Sequence, residues 1–325
     1  MLSSKLVSAL LTSLLLVLYV VGWWVSREPD LLTQDLQQSE QQLGNKAVVG
    51  YNTTTALIKV SETLLDKSGG YLANDIMPPF VLLDNMPAWE LGVLEMSRDL
   101  ALSLRKDLSR SQSQSTENVY LKIAQPKFNI DHRSWAIPSA ESEYRQAIDQ
   151  LYLYRAELLD PQRPDSQFYA RADNLRDWLK AVEKRLGSYS QRLSASVGQD
   201  RLNTDLAGDV AARQSTYTPV NKMVKTSWWK LDDEFYEARG ASWALLHFLL
   251  AVETDFAEVL ERKNAMVSLR QIIRELEATQ QTIWSPMVLN GSGFGLMANH
   301  SLVMANYISR ANAALIDLSE LLSQG

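Results

Sequence analysis

Residues 6–26 run for 21 positions without a charge. At about 1.5 Å of rise per residue, a helix of that length matches the roughly 30 Å hydrocarbon layer of a bilayer. The flanks read as a signal anchor. Lys5 and the free amine precede the run, and Tyr19, Trp23 and Trp24 close it, where part-polar aromatic rings favour the membrane interface. Arg27 just beyond weakens the charge asymmetry. A cleaved signal peptide is the rival reading, with Val20-Val21-Gly22 as its cleavage site; two tryptophans directly after that site, and the length of the apolar run, oppose it. Residues 240–252 are also uncharged but number only 13 between Arg239 and Glu253, a length that suits a buried core helix. One span is expected, with residues 1–5 cytoplasmic and the bulk of the chain on the other face, which counts against transporters and channels.

Beyond the span, apolar residues recur at threes and fours rather than twos, so the remainder reads as all-α. Three stretches alternate those steps with unusual regularity: from Phe168 through Leu175, Leu179 and Leu186 to Leu193; from Trp228 through Phe235, Leu245 and Phe256 to Val259; and from Met297 through Met304, Ile308 and Leu315 to Leu322. A repeat near 3.5 keeps one seam facing a partner helix. The expected architecture is an elongated bundle of long antiparallel helices with heptad-like seams inside one chain, its rods about 45 Å long for thirty residues. The second stretch, over four heptads, is expected as one helix with Trp228 and Trp243 on or beside its seam.

The first half is less regular. Residues 27–50 form a stalk or linker containing a Gln-rich helix over 31–43. A short helix over 53–65 is stopped by Gly69-Gly70, an ordered loop occupies 69–86, and Pro87 opens a helix with Trp89, Val93, Met96, Leu100 and Leu104 on one face. The Ser/Gln run at 109–115 reads as a solvated linker, Ser139 caps a helix to 159, and 198–226 reads as a linker with room for a short helix. Residues 51–160 and 161–325 are expected to form one domain together.

Composition narrows the possibilities. The chain has no cysteine, which removes disulfides, thiolate metal sites and cysteine nucleophiles and suits an oxidising bacterial envelope. A net charge of −6 argues against nucleic acid as a partner. Chemical motifs are scarce. His132, His247 and His300 lie far apart and none belongs to a Glu-x-x-His turn, so no metal and no cofactor are expected. His247 reads as a hydrogen-bonded core residue and His300 as a surface or capping group. Ser227-Trp228-Trp229-Lys230 has the Ser-x-x-Lys spacing of an activated serine without its companion motifs. The glycine-rich 291–295 lacks the Lys-Ser/Thr ending of a phosphate loop and reads as a flexible turn.

The best enzymatic candidate is Glu141. With Ser142, and with Gly295-Leu296-Met297, it resembles two pieces of the lytic transglycosylase pattern, where a glutamate of raised pKa protonates a glycan. The pieces lie about 150 residues apart, Ala298 stands where that pattern has glutamine, and Glu141 sits in the first turn of a helix, which favours ionisation. Trp89 and Trp135, near Asp75 and Asp84, form a possible sugar-binding surface, while Arg98, Arg105, Lys106 and Arg110 form a basic face read as solvated.

The succession Gly69-Gly70-Tyr71-Leu72, Asn74-Asp75, Pro78-Pro79, Asp84-Asn85, Trp89-Glu90, Arg98-Asp99, the Ser/Gln run and Pro138-Ser139 with Glu141-Ser142-Glu143-Tyr144 resembles a bacterial domain-of-unknown-function family, the one numbered 2333. The resemblance covers nearly the whole chain and implies a single-span protein of the Gram-negative inner membrane; it carries no activity and no site. The expected function is a non-enzymatic, membrane-anchored periplasmic scaffold or partner-binding protein, bound to the bilayer through residues 6–26 and to another envelope protein or a second copy of itself. A peptidoglycan-acting enzyme using Glu141 is the alternative.

Overall fold

The structure is a computed structural model that describes residues 4–43, 48–111, 116–162, 166–202, 221–285, 287–293 and 295–324. Among these residues eleven α-helices carry the fold: α1 (Ser4–Val25), α2 (Thr33–Leu43), α3 (Tyr51–Asp66), α4 (Asn85–Ser103), α5 (Val119–Phe128), α6 (Ala140–Leu158), α7 (Ala172–Ser194), α8 (Leu231–Asp255), α9 (Ala257–Arg262), α10 (Met266–Thr279) and α11 (His300–Ser323). A two-stranded antiparallel ribbon, β1 (Gln199–Leu202) with β2 (Asn221–Val224), joins the two ends of the expected 198–226 linker. A short helix within that linker, and part of the Ser/Gln run at 112–115, lie outside the described residues.

Local chemistry explains most boundaries. Ser139 accepts a bond from the Ser142 N–H and opens α6, and Asn299 does the same for Leu302 at the start of α11. Asp84 accepts from the Asn85 N–H, so α4 begins two residues before Pro87. Helix α3 ends at Asp66 with Lys67 extended at its C-cap (φ −59°, ψ 169°), so it stops before the expected Gly69-Gly70, which follow with left-handed φ of 87° and 75° and turn the chain.

The helices pair antiparallel. Lys127 of α5 meets Glu143 of α6 while Tyr120 meets Glu157; Asp66 of α3 meets Arg145 of α6 while Thr55 meets Arg155. On the other side, α7 lies against α11, with Ser190 bonded to Ser309 and Gly187 beside Asn312. Helix α10 packs on both α8 and α11.

Helix α8 is the centre. Every residue from Ala238 to Leu249 is buried, so the uncharged 240–252 stretch is a core helix enclosed on all sides. Its closest neighbour is α4. A Cβ on Gly92 would collide with the Glu237 carbonyl oxygen, and one on Gly240 with that of Trp89. The two backbones therefore touch, and only glycine fits at the crossing.

Two expectations about the seams fail. The four-heptad stretch is not one helix: α8 ends at Asp255, whose carboxylate accepts bonds from the Thr53 N–H (2.7 Å) and Asn52 (3.3 Å) at the start of α3. Phe256 then turns inward against Phe168, ring centroids 5.6 Å apart, before α9 resumes. Trp228 is also off the seam. It precedes α8 in a single 3₁₀ turn and is 70% exposed, because the helix starts at Leu231 with Asp232, Asp233 and Glu234 against its positive end. Met297 likewise lies exposed ahead of α11.

Helix α1 has 22 residues and a mean hydropathy of 2.2 over its most apolar window; among the described residues it is the one helix long and apolar enough to cross a membrane. Its side chains are exposed except at the last turn, where Gly22 and Val25 are buried against the domain.

Replacing Gly92 or Gly240 by alanine is expected to cost about 2 kcal/mol or more, since backbone rather than a flexible side chain must move. Gly187→Ala, whose Cβ would lie an ordinary 3.8 Å from Asn312, is expected to be neutral or stabilising by up to about 1 kcal/mol. Thermal unfolding of the three variants followed by circular dichroism checks the contrast.

Candidate functional site

Residues four apart on a helix stack on one face. Arg239, Trp243 and His247 form such a stripe along α8, and the chain leaving α1 runs beside it. Glu28 pairs with Arg239 Nε at 2.7 Å, the Asp30 carbonyl accepts from Trp243 Nε1 at 3.3 Å, and the Leu32 N–H donates to His247 Nε2 at 2.8 Å. The spacings match: four helical residues advance about 6 Å, and two extended residues about 6.6 Å. The stretch expected as a stalk is thus a strap laid along the core helix, and α2 continues it across α3.

Each polar atom of the stripe has a defined task. Arg239 also donates to the carbonyls of Thr279 (2.9 Å), Gln280 (3.3 Å) and Gln281 (2.9 Å), closing the end of α10. His247 is fully buried, as expected of a hydrogen-bonded core residue. Its Nδ1 lies 2.7 Å from the Trp243 carbonyl. Nδ1 therefore carries the proton and Nε2 is free to accept from Leu32. Burial pushes the imidazole pKa down from 6.5 to about 4, against a smaller upward pull from the Trp243 carbonyl.

Helix α1 is gripped a second time at its end. Gly69, in its left-handed conformation, lies under Val25; a Cβ there would come within 2.8 Å of the valine side chain. The loop holding Gly69 is fixed by Glu90 of α4, which is wholly buried and pairs with Lys67 while accepting from the Leu72 (2.9 Å) and Ala73 (2.8 Å) N–H groups. Burial pushes the Glu90 carboxyl above its ordinary range, opposed by Lys67 and those two amides.

The residues read from the sequence as a possible sugar surface do not form one cleft. Trp89 is completely buried, packed on Trp243 with ring centroids 5.2 Å apart, because it lies in the α4–α8 crossing. Asp84 caps α4 and shares a cavity with Trp228 and Trp229. Asp75 does approach Glu141: burial, and secondarily the Glu141 charge, raise its carboxyl pKa. Glu141 itself accepts from Asn74 Nδ2 at 2.8 Å, and the same amide reaches the Ser134 carbonyl at 2.9 Å, one residue from the exposed Trp135.

The basic face is not simply solvated either. Arg98 donates to the carbonyls of Phe128 (2.6 Å) and Ile130 (2.7 Å) at the end of α5, and Arg105 pairs with Glu117 at 2.8 Å. His300 opens α11 and accepts from the Leu289 N–H at 3.1 Å, tying down the preceding loop, while Asn299 rather than His300 caps the helix. Among the described residues no group of three or more His, Asp or Glu is arranged to hold a metal ion. Sequence reasoning missed the strap and the Lys67–Glu90 pair. The available signal was three polar-capable side chains, Arg239, Trp243 and His247, at helical spacing in an otherwise apolar stretch.

His247 makes the strap acid-sensitive. An unfolded imidazole takes up its proton near pH 6.5 and the folded one only near pH 4, so stability is complete above about pH 6.5 and falls as the pH drops through that window. The full loss is about 3 kcal/mol, one pKa unit being about 1.4 kcal/mol. Protonation also places a hydrogen on Nε2, facing the Leu32 N–H. The difference in thermal midpoint between the native chain and His247→Gln, which keeps an acceptor but does not titrate, is expected to change between pH 6.5 and 4 and stay constant above.

A family described as an uncharacterized protein conserved in bacteria (DUF2333) matches residues 2–325. No curated protein and no solved structure matches the chain. With nearly every residue covered, from α1 through the strap to α11, the chain belongs to this bacterial family.

Proposed function

We propose that this protein is a membrane-anchored helical scaffold of the bacterial cell envelope. In this reading α1 is an uncleaved signal anchor in the inner membrane, the N-terminus is cytoplasmic, and the helical body is periplasmic. The body docks another envelope protein or a second copy of the chain. The observation that carries the reading is the strap. A flexible tether would let the domain tumble, whereas Glu28, Asp30 and Leu32 on one side and Val25 on Gly69 on the other hold it in one orientation to the span. A rigid body held at a set orientation to a membrane is suited to presenting long helix faces to a partner. Lys5 and the free amine ahead of α1, and the absence of cysteine, support the periplasmic side.

The geometry around Glu141 favours a structural part for it. One carboxylate oxygen is held by Asn74, which ties α6 to the loop after α3, and glutamine can accept that same bond. In a deletion strain, Glu141→Gln at normal protein level is expected to restore function fully; failure to complement favours a glycan-acting enzyme and counts against the scaffold. A phosphatase fused after Gly325 is expected to be active in intact bacteria, and an inactive fusion with normal expression overturns the periplasmic placement.

A further inference from the structure

The loop between α3 and α4 contains an eight-residue run without a polar side chain, Ile76-Met77-Pro78-Pro79-Phe80-Val81-Leu82-Leu83, bounded by Asp75 and Asp84. Loops facing water are ordinarily polar. Phe80 and Leu83 pack back onto the core, but Ile76, Met77, Val81 and Leu82 point outward and are 53%, 66%, 50% and 76% exposed. Elsewhere on the body helices exposed apolar residues such as Val267, Val303 and Ile316 stand singly, which is ordinary for a protein surface. These four are grouped, and the group sits where the span leaves the domain.

The contact sets their depth. A Cβ on Gly22 would lie 3.8 Å from Leu83 Cδ2 and 3.9 Å from Pro79 Cβ. Gly22 is three residues before the end of α1, about 4.5 Å along its axis. Trp23 and Trp24, both exposed, lie at the same level. Such rings mark the headgroup layer of a bilayer. A loop touching the helix there lies at that depth whenever the helix is inserted.

We propose that residues 76–82 form a second membrane contact, a lip that inserts into the interfacial layer of the leaflet through which the span emerges, its occupant being the lipid bilayer itself. This rests on reading α1 as a membrane span. The neighbouring loop, tied on by the Asn74–Ser134 bond, adds Trp135, 62% exposed, and Ile137, wholly exposed. On the other flank Asp84 leads to Trp228 and Trp229, a further pair of exposed rings suited to an interface. Between Lys67 and Arg98 the chain has no basic residue. The lip is therefore held by burial of apolar surface and needs no anionic headgroup.

Because the chain has no cysteine, single labels are clean. The full chain carrying a nitroxide at Leu82→Cys, Met77→Cys, Leu15→Cys in the span or Val267→Cys on α10 is reconstituted in phosphatidylethanolamine–phosphatidylglycerol vesicles, and separately in phosphatidylcholine alone. The ratio of collision with oxygen to collision with a water-soluble nickel chelate reads depth. The Leu82 and Met77 labels are expected to exceed the Val267 label several-fold in both lipids and to fall below Leu15. Values equal to Val267, with Leu15 still in lipid, overturn the lip alone. A lipid-like signal only with phosphatidylglycerol overturns its apolar basis. If Leu15 itself reads as aqueous, the anchoring reading fails and the lip with it.

Discussion

The backbone contact between α4 and α8 governs the rest of the structure. Gly92 and Gly240 face the opposing main chain with no room for a side chain, so the two helices approach more closely than ordinary ridges-into-grooves packing permits. Several of the contacts that hold α1 and the strap to the body are built from the turns beside those glycines. Trp89 is driven onto Trp243, the ring that donates to the strap. Glu90, in the same turn, reaches across to Lys67 and the loop amides and so sets Gly69 beneath Val25. Arg239, adjacent to Gly240, anchors Glu28. Loosening the crossing would therefore shift both grips on α1 together.

The buried polar groups follow from the same arrangement. An unpaired charge or amide in a core costs several kcal/mol, so such groups persist where each has a partner. Arg239 meets a carboxylate and three helix-end carbonyls, joining the strap, α8 and α10 through one side chain. His247 bridges its own helix and the strap with one nitrogen donating and the other accepting, an arrangement available only to the neutral ring. Two backbone atoms of the strap, the Asp30 carbonyl and the Leu32 N–H, bond to these side chains, so a segment without regular secondary structure can lie on a core helix. Helix α1 and the body are consequently joined along the strap, and the apolar loop beside Gly22 is set at a definite level along α1.

Much of the architecture was legible in the chain, and the residues show why. The uncharged 6–26 run, the Ser139 cap and the buried face from Trp89 to Leu104 are all local patterns, and each appears in the structure close to where it was read, whereas α3 ends at Asp66, ahead of the glycines read as its stop. The third periodic stretch became α11, starting three residues after Met297. The second divided at Phe256, because the heptad pattern records which side of a helix is buried but not that Asp255 is needed at the start of α3, over two hundred residues earlier. Exposure of Trp228, the first position of that stretch, follows from a helix start that favours the three acids after Leu231. The candidate site fared differently. Asp75 and Glu141 do come together through Asn74, yet Trp89 is sealed in the crossing and Asp84 faces another cavity.

Periodicity, composition and turn residues depend on neighbours within a few positions, so the amino-acid order sufficed for the class of fold, the single apolar helix, the core role of residues 240–252 and the family. The strap, the glycine crossing and the Lys67–Glu90 pair needed the tertiary structure. Each joins residues separated by 23 to more than 200 positions, and no local pattern distinguishes a histidine that seals a core from one that receives the backbone of a distant segment. The same holds for the level of the apolar loop. Its composition is plain in the chain, but only the contact of Pro79 and Leu83 with Gly22 sets it beside the end of α1.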